Sequence, residues 1–307
     1  MRDIWVIAEN LFWASTMITG AKAISADAKI VVFVNGDEAA AKEAVSMGAA
    51  SAFYLPLPAD KEWEGYMPAM VEKAKAEKPA LIVLSSSRRC RTVAAQMAAL
   101  LDAPCFTDGK KVSVNGDSWT AETLVYGGLA AKNVSVTAET VLLTMGAKDN
   151  EAAKPAGNTG DVATLPLADT FAVTERKARV ATSVNVGEAN ILVSVGRGFA
   201  EEADLQHARD LAKAIGGEVS CSRPIAEFFK WIPEECYIGI SGNQVKPALY
   251  LAIGISGQAQ HLYGVRDAKT IVAINKDPEA NIMQNSDYYI VGDWKEAIPA
   301  LRKALGK

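Results

Sequence analysis

Six apolar segments in the second half of the chain end in small, polar or cationic residues, which are types that bind anions and hydroxyl-rich ligands. Glycines at a strand-to-helix turn let the backbone approach a phosphate, and the N–H groups of the following helix favour it. The carboxyl ends of parallel strands meet at one edge of a sheet, so we expect these residues to form the rim of one ligand site. The endings are Gly196-Arg197-Gly198, Ser222-Arg223-Pro224, Ser241-Gly242-Asn243, Ser256-Gly257-Gln258, Asn275-Lys276-Asp277 and Gly292-Asp293.

Two of these turns are candidates for phosphate contact. Ser256-Gly257 opens a predicted helix, and Arg197 could add a forked cation for a pyrophosphate. Glu201 stands where a dinucleotide fingerprint would place its third glycine, so Gly196-Arg197-Gly198 is a weak Rossmann motif. A plain strand-end turn is the alternative interpretation.

Three further side chains on this rim have both a ligand-binding and a structural interpretation. His261, one of two histidines, lies one turn into the helix after Ser256-Gly257, where it could donate a hydrogen bond to a carbonyl of a bound ring or simply pack in the core. Asn275 and Asp293 each follow an apolar strand and could hold ribose hydroxyls or an adenine edge, or cap the next helix.

Motifs for independent acid–base, hydrolytic or zinc chemistry are absent from the sequence. It contains no G-x-S-x-G elbow and no G-x-x-x-x-G-K-[ST] loop, and its four cysteines and two histidines form no C-x-x-C or H-x-x-x-H pair. We therefore expect no metal site. A rim rich in hydrogen-bond donors but poor in acid–base groups suits a cofactor that carries its own reactivity.

The elements that must position this rim are strands alternating with Ala-rich helices, which predicts an α/β fold with mainly parallel sheets flanked by helices. In the first half we predict strands at Ile4–Ala8, Ile30–Val34, Leu81–Ser85 and Val141–Thr144, and helices at Asp37–Met47 and Thr92–Leu101. In the second half we predict strands at Ile191–Val195, Glu218–Cys221, Tyr237–Ile240, Tyr250–Ile255, Ile271–Ile274 and Tyr288–Val291. Residues 148–169 read as a linker-like loop, and a second domain is predicted to cover 183–307.

Composition limits the classes of partner. The chain has 307 residues, half of them hydrophobic, which is enough for two packed cores. Thirty-two Lys and Arg against 36 Asp and Glu give a net charge of −4, without the basic excess that nucleic-acid binding requires. Because no apolar run approaches a membrane span and no signal-peptide pattern is present, we expect a cytoplasmic protein.

Residues 222–301 resemble the FAD-binding domain of electron transfer flavoprotein alpha subunits, in order and at nearly the family spacing. The resemblance lies in SRP, then IGISGNQVKPALYLAIGISGQAQHLYGVRDAKTIVAINKDPEANIMQNSDYYIVGD, then IPAL. The Ser-Gly-Gln-x-Gln-His form is similar to the branch found in anaerobic, nitrogen-fixing or carnitine-reducing bacteria. This resemblance implies that 183–307 is a Rossmann-like FAD-binding domain and that 1–182 binds partners.

The resemblance also implies roles for individual residues. Arg197 matches an arginine at the FAD pyrophosphate, and Arg223 matches one set against the isoalloxazine ring, whose reduced form it stabilises. Ser241 stands where a threonine usually bonds flavin N5, and His261 is expected at the flavin O2 carbonyl. The remaining contacts that it implies are Ser222, Ile238, Gly239, Ile240, Ser256, Gly257, Gln258, Ala259, Gln260, Asn275, Asp293 and Trp294. Ile240 replaces a usual glutamine, and Asn281 a usual proline.

Members of this family work as heterodimers with a beta subunit that holds AMP or, in electron-bifurcating members, a second FAD oxidised by NADH. The resemblance therefore implies an electron carrier, with acyl-CoA dehydrogenase-type partners, and not an enzyme in its own right. A rival interpretation is an NAD-dependent enzyme built on a similar nucleotide-binding domain, for which Lys276 would be the rim lysine. A third is a structural subunit that has lost FAD.

Overall fold

The computed structural model describes residues 3–146, 149–168, 172–177 and 185–306. Two compact units divide the chain: unit 1 is Met1–Val125 with Ala130–Lys177, and unit 2 is Tyr126–Leu129 with Ala178–Lys307. The predicted domain boundary between residues 182 and 183 lies outside the described residues. None of the described helices is both long enough and apolar enough to cross a membrane.

Unit 1 is an α/β unit with a parallel sheet and a small antiparallel one. The described strands are β1 (Ile4–Ala8), β2 (Ile30–Asn35), β3 (Ser51–Leu55), β4 (Leu81–Ser85), β5 (Cys105–Phe106), β6 (Lys110–Asn115), β7 (Ser118–Val125), β8 (Ala130–Thr137), β9 (Val141–Met145) and β10 (Asp161–Thr164). The described helices are α1 (Leu11–Ile24), α2 (Glu38–Ser46), α3 (Met67–Glu77) and α4 (Arg88–Leu101). The parallel sheet has the order β10-β3-β2-β1-β4-β9-β5, and β6-β7-β8 form the antiparallel sheet.

The central strands of this parallel sheet are buried on both faces, which explains why they read as continuous apolar runs. Every residue of β1, β4 and β9 is buried, and a hydrophobic cluster packs on each side of the sheet. Side-chain caps begin α1, α2 and α4: Asn10, Asp37 and Ser87 each accept a hydrogen bond from a backbone N–H three residues on. The Ser87 cap starts α4 one turn before the predicted Thr92.

The predicted loop at 148–169 contains one strand that the sequence pattern did not reveal. Asp161–Thr164 forms β10, which pairs in parallel with Ser51–Tyr54 at the edge of the sheet. Only Val162 of its four residues is even partly buried. So short and exposed a strand lacks the apolar alternation on which prediction depends.

Unit 2 holds the second parallel sheet, and its strand order is that of a dinucleotide-binding fold. The described strands are β11 (Ile191–Val195), β12 (Glu218–Ser222), β13 (Tyr237–Ile238), β14 (Leu249–Ile253), β15 (Ile271–Asn275) and β16 (Tyr288–Val291). The described helices are α5 (Leu205–Ile215), α6 (Arg223–Glu227), α7 (Ala259–Val265), α8 (Asn281–Gln284) and α9 (Trp294–Ala304). The order β13-β12-β11-β14-β15-β16 reverses between β11 and β14, so the crevice for a ligand is expected at the carboxyl ends of those two strands.

Two predicted strands of unit 2 are shorter than expected because glycines end them. The strand predicted at Tyr237–Ile240 stops at Ile238, since Gly239 has φ +154°. The strand predicted to reach Ile255 stops at Ile253, since Gly254 has φ +63°. Glycine has no side chain that opposes these backbone angles, so both strands can end there. The predicted fold class is confirmed.

Candidate functional site

A cavity of about 670 Å³ opens at the carboxyl edge of the unit 2 sheet. Its walls come from the ends of five neighbouring strands, β11 to β15. The predicted site residues that line it are Arg197, Ser222, Arg223, Ile238, Gly239, Ile240, Ser241, Ser256, Gln258, Gln260, His261 and Asn275. Gly198 and Asp277, which the sequence analysis placed on the rim, also line it, and lining residues that it did not place there include Tyr237, Gly254, Glu279 and Asn281.

Gly196, Gly198 and Gly254 pack closely against one another between the ends of β11 and β14, and we call these three residues the glycine floor of the crevice. The Gly196 N–H donates to the Ile253 carbonyl at 2.9 Å, and the Gly198 N–H donates to the Gly254 carbonyl at 3.0 Å. A Cβ on Gly198 would lie 2.6 Å from the Gly254 Cα, and one on Gly196 would lie 2.3 Å from the Gly254 oxygen. Glycines are therefore required for the two strand ends to approach this closely, and the surface offered to a ligand here is largely backbone.

The Ser256-Gly257 turn supports the opposite wall. Gly257 has φ +77°, and a Cβ there would lie 2.3 Å from the Ile282 nitrogen, which itself donates to the Ser256 carbonyl at 3.1 Å. Asn275 holds the same loop, because its Nδ2 donates to the Ile255 carbonyl at 2.8 Å. The Asn275 amide is thus a support of the cavity wall as well as a lining residue, and it caps no described helix.

Gly257, Ala259, Asp293 and Trp294 are predicted site residues that do not line the cavity. Asp293 caps α9 by accepting from the Lys295 N–H at 2.9 Å and pairs with Lys276 at 2.9 Å, and both interactions lower the pKa of its carboxyl. Trp294 is buried, stacks on Phe199 with ring centroids 4.4 Å apart, and donates from Nε1 to the Gly198 carbonyl at 2.9 Å. Trp294 thus supports the backbone at Gly198 through this hydrogen bond.

The Arg223 guanidinium lies at the mouth of the cavity and has a carboxylate partner. Its Nε donates to Glu227 Oε2 at 2.6 Å, one helical turn along α6, and this hydrogen bond raises the pKa of Arg223. The Arg223 side chain is 61% exposed, so water screens the pair. The sequence analysis gave Glu227 no role.

The Ser241 hydroxyl, on the loop after β13, is oriented by a second hydroxyl. Tyr237 OH donates to Ser241 Oγ at 3.2 Å. Both residues line the cavity.

His261 is buried in the cavity wall, with 8% of its surface exposed. Its Nε2 lies 2.8 Å from the hydroxyl of Tyr250, which is fully buried on β14. Burial lowers the pKa of His261 to about 4, against a smaller opposing effect of the Ile238 backbone, so the ring is neutral near pH 7. No cluster of metal-ligating side chains occurs in the part of the chain that the structure describes.

Comparisons with known proteins agree over both units. The model of the electron transfer flavoprotein domain matches residues 13–170, and the model of the electron transfer flavoprotein FAD-binding domain matches residues 185–266. Proteins named FixB from Escherichia coli O7:K1 and Shigella dysenteriae serotype 1 are each 37% identical over 311 aligned residues, which cover 99% of this chain and 98% of theirs. A solved Mycobacterium smegmatis structure, titled as a thiamin diphosphate-dependent enzyme, covers 96% of this chain and 54% of its own, at 13% identity and a TM-score of 0.24, too low to inform the fold.

Proposed function

This chain belongs to the electron transfer flavoprotein alpha-subunit family, in its FixB-type branch, and from that premise we propose that it holds its FAD in the cavity at the carboxyl ends of β11 to β15. The chain is an electron transfer subunit that binds FAD and pairs with a beta subunit. The observation that carries the proposed location is the cavity itself, which opens where the strand order reverses between β11 and β14.

The residues present fit a dinucleotide flavin. Gly198 and Gly254 bring no side chain into the cavity lining, so a pyrophosphate can approach the backbone there closely. Arg197 after β11 and Arg223 after β12 supply cations to the cavity lining, and the volume of about 670 Å³ is within the usual range of cofactor sites. Bound FAD supplies the electron-accepting ring, and the chain supplies its binding, orientation and electrostatic surroundings.

We propose that the two arginines have different functions. Arg197 follows β11 beside the glycine floor, so its guanidinium is placed to pair with a pyrophosphate. Arg223 follows β12, and a cation there favours the more negative, reduced state of a nearby ring. Glu227 opposes that effect because its carboxylate partly neutralises Arg223.

The loops after β13 and β14 bring hydroxyl, amide and imidazole groups to the same cavity. The Ser241 hydroxyl, oriented by Tyr237, is proposed to hydrogen-bond a ring nitrogen. Ser256, Gln258 and Gln260 offer hydrogen bonds to the phosphates and the ribityl chain. Because Asp293 and Trp294 lie outside the cavity wall, their proposed contribution is indirect: Asp293 caps α9, and Trp294 supports the Gly198 carbonyl.

The ion pair that Lys276 forms favours an electron carrier over the rival interpretation, an NAD-dependent enzyme. A catalytic lysine needs a lone pair or an unpaired ammonium facing the substrate. Lys276 Nζ instead pairs with Asp293 Oδ2 at 2.9 Å.

The nucleotide of the beta subunit and the redox partner protein are proposed from the resemblance of the sequence. The beta subunit brings AMP or a second FAD, and an acyl-CoA dehydrogenase-type protein exchanges electrons with the FAD of this chain. In the bifurcating alternative, NADH reduces the beta-subunit flavin. Adding NADH to the purified heterodimer separates the two alternatives, because bleaching of the flavin absorbance requires the bifurcating one.

The experiment that tests the proposed site is an FAD titration of the flavin-free heterodimer, monitored by visible absorbance. We expect saturable binding with a flavin spectrum, and at least tenfold weaker binding in the Arg197→Ala variant. Arg209→Ala, which removes an arginine from α5 outside the cavity lining, is the matched control. A heterodimer that stays colourless with excess FAD, or equal affinities of all three proteins, would contradict the proposal.

A further inference from the structure

Tyr250 and His261 form a buried hydrogen-bonded pair behind the cavity surface. Tyr250 has no exposed surface, and His261 on α7 forms part of the cavity lining. The Tyr250 hydroxyl and His261 Nε2 are 2.8 Å apart, and the two rings are tilted by 48°. A buried tyrosine hydroxyl needs a partner, and here the partner is the one imidazole of the site.

The chemistry of the two groups determines which atom donates in this pair. A phenol O–H is a stronger donor than an imidazole N–H, and an imidazole nitrogen is a stronger acceptor than a phenolic oxygen. With Nε2 accepting from Tyr250, the one proton of the neutral imidazole lies on Nδ1, which is buried and has no hydrogen-bond partner among the described residues.

The titratable groups packed around the ring are uncharged near pH 7. Burial raises the pKa of the Tyr250 phenol and of the Cys221 thiol on β12 far above neutrality. The charged residues that share the cavity with His261 are Arg197, Arg223, Asp277 and Glu279.

We propose that Tyr250 is a positioning residue for the flavin site: its hydroxyl donates to His261 Nε2, selects the Nδ1–H tautomer and fixes the ring in the cavity wall. The effect on FAD rests on the proposed function, whereas the hydrogen-bond direction does not. FAD thus faces a neutral, immobilised imidazole, and the flavin midpoint potential shows no inflection from His261 between pH 5 and 8.

Nitrogen NMR of the ¹⁵N-histidine-labelled alpha subunit in its heterodimer tests the direction. With two histidines in the chain, His207→Gln assigns both sets of signals. We expect His261 to show a protonated Nδ1 and an unprotonated, hydrogen-bonded Nε2 that do not change from pH 5 to 8. A proton on Nε2, or a doubly protonated ring in that range, would overturn the proposal.

The Tyr250→Phe variant tests the positioning. Without the hydroxyl, the Nε2 signal is expected to move to the position of an unbonded ring nitrogen and to broaden as the ring gains freedom. Tyr66→Phe is the matched control, because it removes a hydroxyl that donates to the Pro56 carbonyl in unit 1 and leaves His261 untouched. A wild-type His261 spectrum in Tyr250→Phe would refute the positioning role.

Flavin midpoint potentials link the pair to function. Tyr250→Phe and His261→Ala are expected to shift the potential in the same direction, and the double variant to shift it no further than His261→Ala alone. Fully additive shifts would overturn the coupling. If the NMR results hold while Tyr250→Phe leaves the potential unchanged, the positioning stands and the expected effect of the His261 ring on FAD fails.

Discussion

Replacing Gly257 by alanine is expected to damage the FAD site because the new methyl group collides with backbone. The Cβ would lie 2.3 Å from the Ile282 nitrogen and 2.6 Å from its Cα, and Gly257 has φ +77°. The left-handed conformation costs about 1–2 kcal/mol. Moving α8 away costs about 1–3 kcal/mol, and the Ile282 to Ser256 hydrogen bond contributes about 0.5–1.5 kcal/mol. Together these contributions lower the expected free energy of unfolding by about 2.5–6.5 kcal/mol.

The assay compares Gly257→Ala with Gly216→Ala, which has a similar φ of +69° but no atom within 4 Å of the added Cβ. Gly216→Ala therefore incurs the conformational cost alone, about 1–2 kcal/mol. Denaturant unfolding gives the stability, and titration of flavin-free heterodimers gives the FAD affinity. Gly257→Ala is expected to bind FAD at least tenfold more weakly, about 1.4 kcal/mol, and Gly216→Ala to bind as the wild type does. Equal stability losses, or unchanged FAD affinity in Gly257→Ala, would refute the reasoning.

Further predictions concern the groups around the flavin. Arg223→Ala is expected to lower the flavin midpoint potential measured by redox titration, since a cation near the ring is removed. Ser241→Ala loses one hydrogen bond of about 0.5–1.5 kcal/mol and should shift the potential less. A larger shift in Ser241→Ala than in Arg223→Ala would show our ranking to be wrong. Glu227→Gln is expected to raise the potential because it removes the carboxylate that pairs with Arg223, and an unchanged potential would contradict the proposed opposing effect of Glu227. Trp294→Phe removes the hydrogen bond to the Gly198 carbonyl, so thermal unfolding should show a loss of about 1 kcal/mol, with FAD affinity reduced less than tenfold; wild-type stability would exclude this bracing role.

Strands that are buried on both faces were predictable to within a residue or two. Ile4–Ala8 and Leu81–Ser85 have the predicted bounds, because a continuous apolar run between Gly, Pro or polar residues has one interpretation in an α/β chain. The antiparallel sheet of β6, β7 and β8 was missed: β6 and β8 have no fully buried residue, so their apolar signal is weak. The register of this sheet depends on which residues of neighbouring strands pair with each other, and composition does not reveal that.

The part of the candidate site that residues at strand ends form was predictable from the sequence. The rule that parallel strands meet at one edge brought Arg197, Ser222 and Asn275 together in the cavity lining. That rule does not predict the contacts made by residues that pack behind or beside the lining. Tyr250 lies inside an apolar strand and reads as core, and Glu227 reads as a helix surface residue; their partners are set by packing and by helix geometry.

Hydrogen–deuterium exchange of the flavin-free heterodimer, before and after addition of FAD, tests the central claim most directly. The account predicts that FAD slows exchange in residues 196–198, 222–224, 238–241, 254–261 and 275–281 of this chain, which are the segments around the cavity. The unit 1 strand Ile4–Ala8 should be unaffected. A flavin spectrum that appears without protection of these cavity segments would place FAD elsewhere and contradict the account.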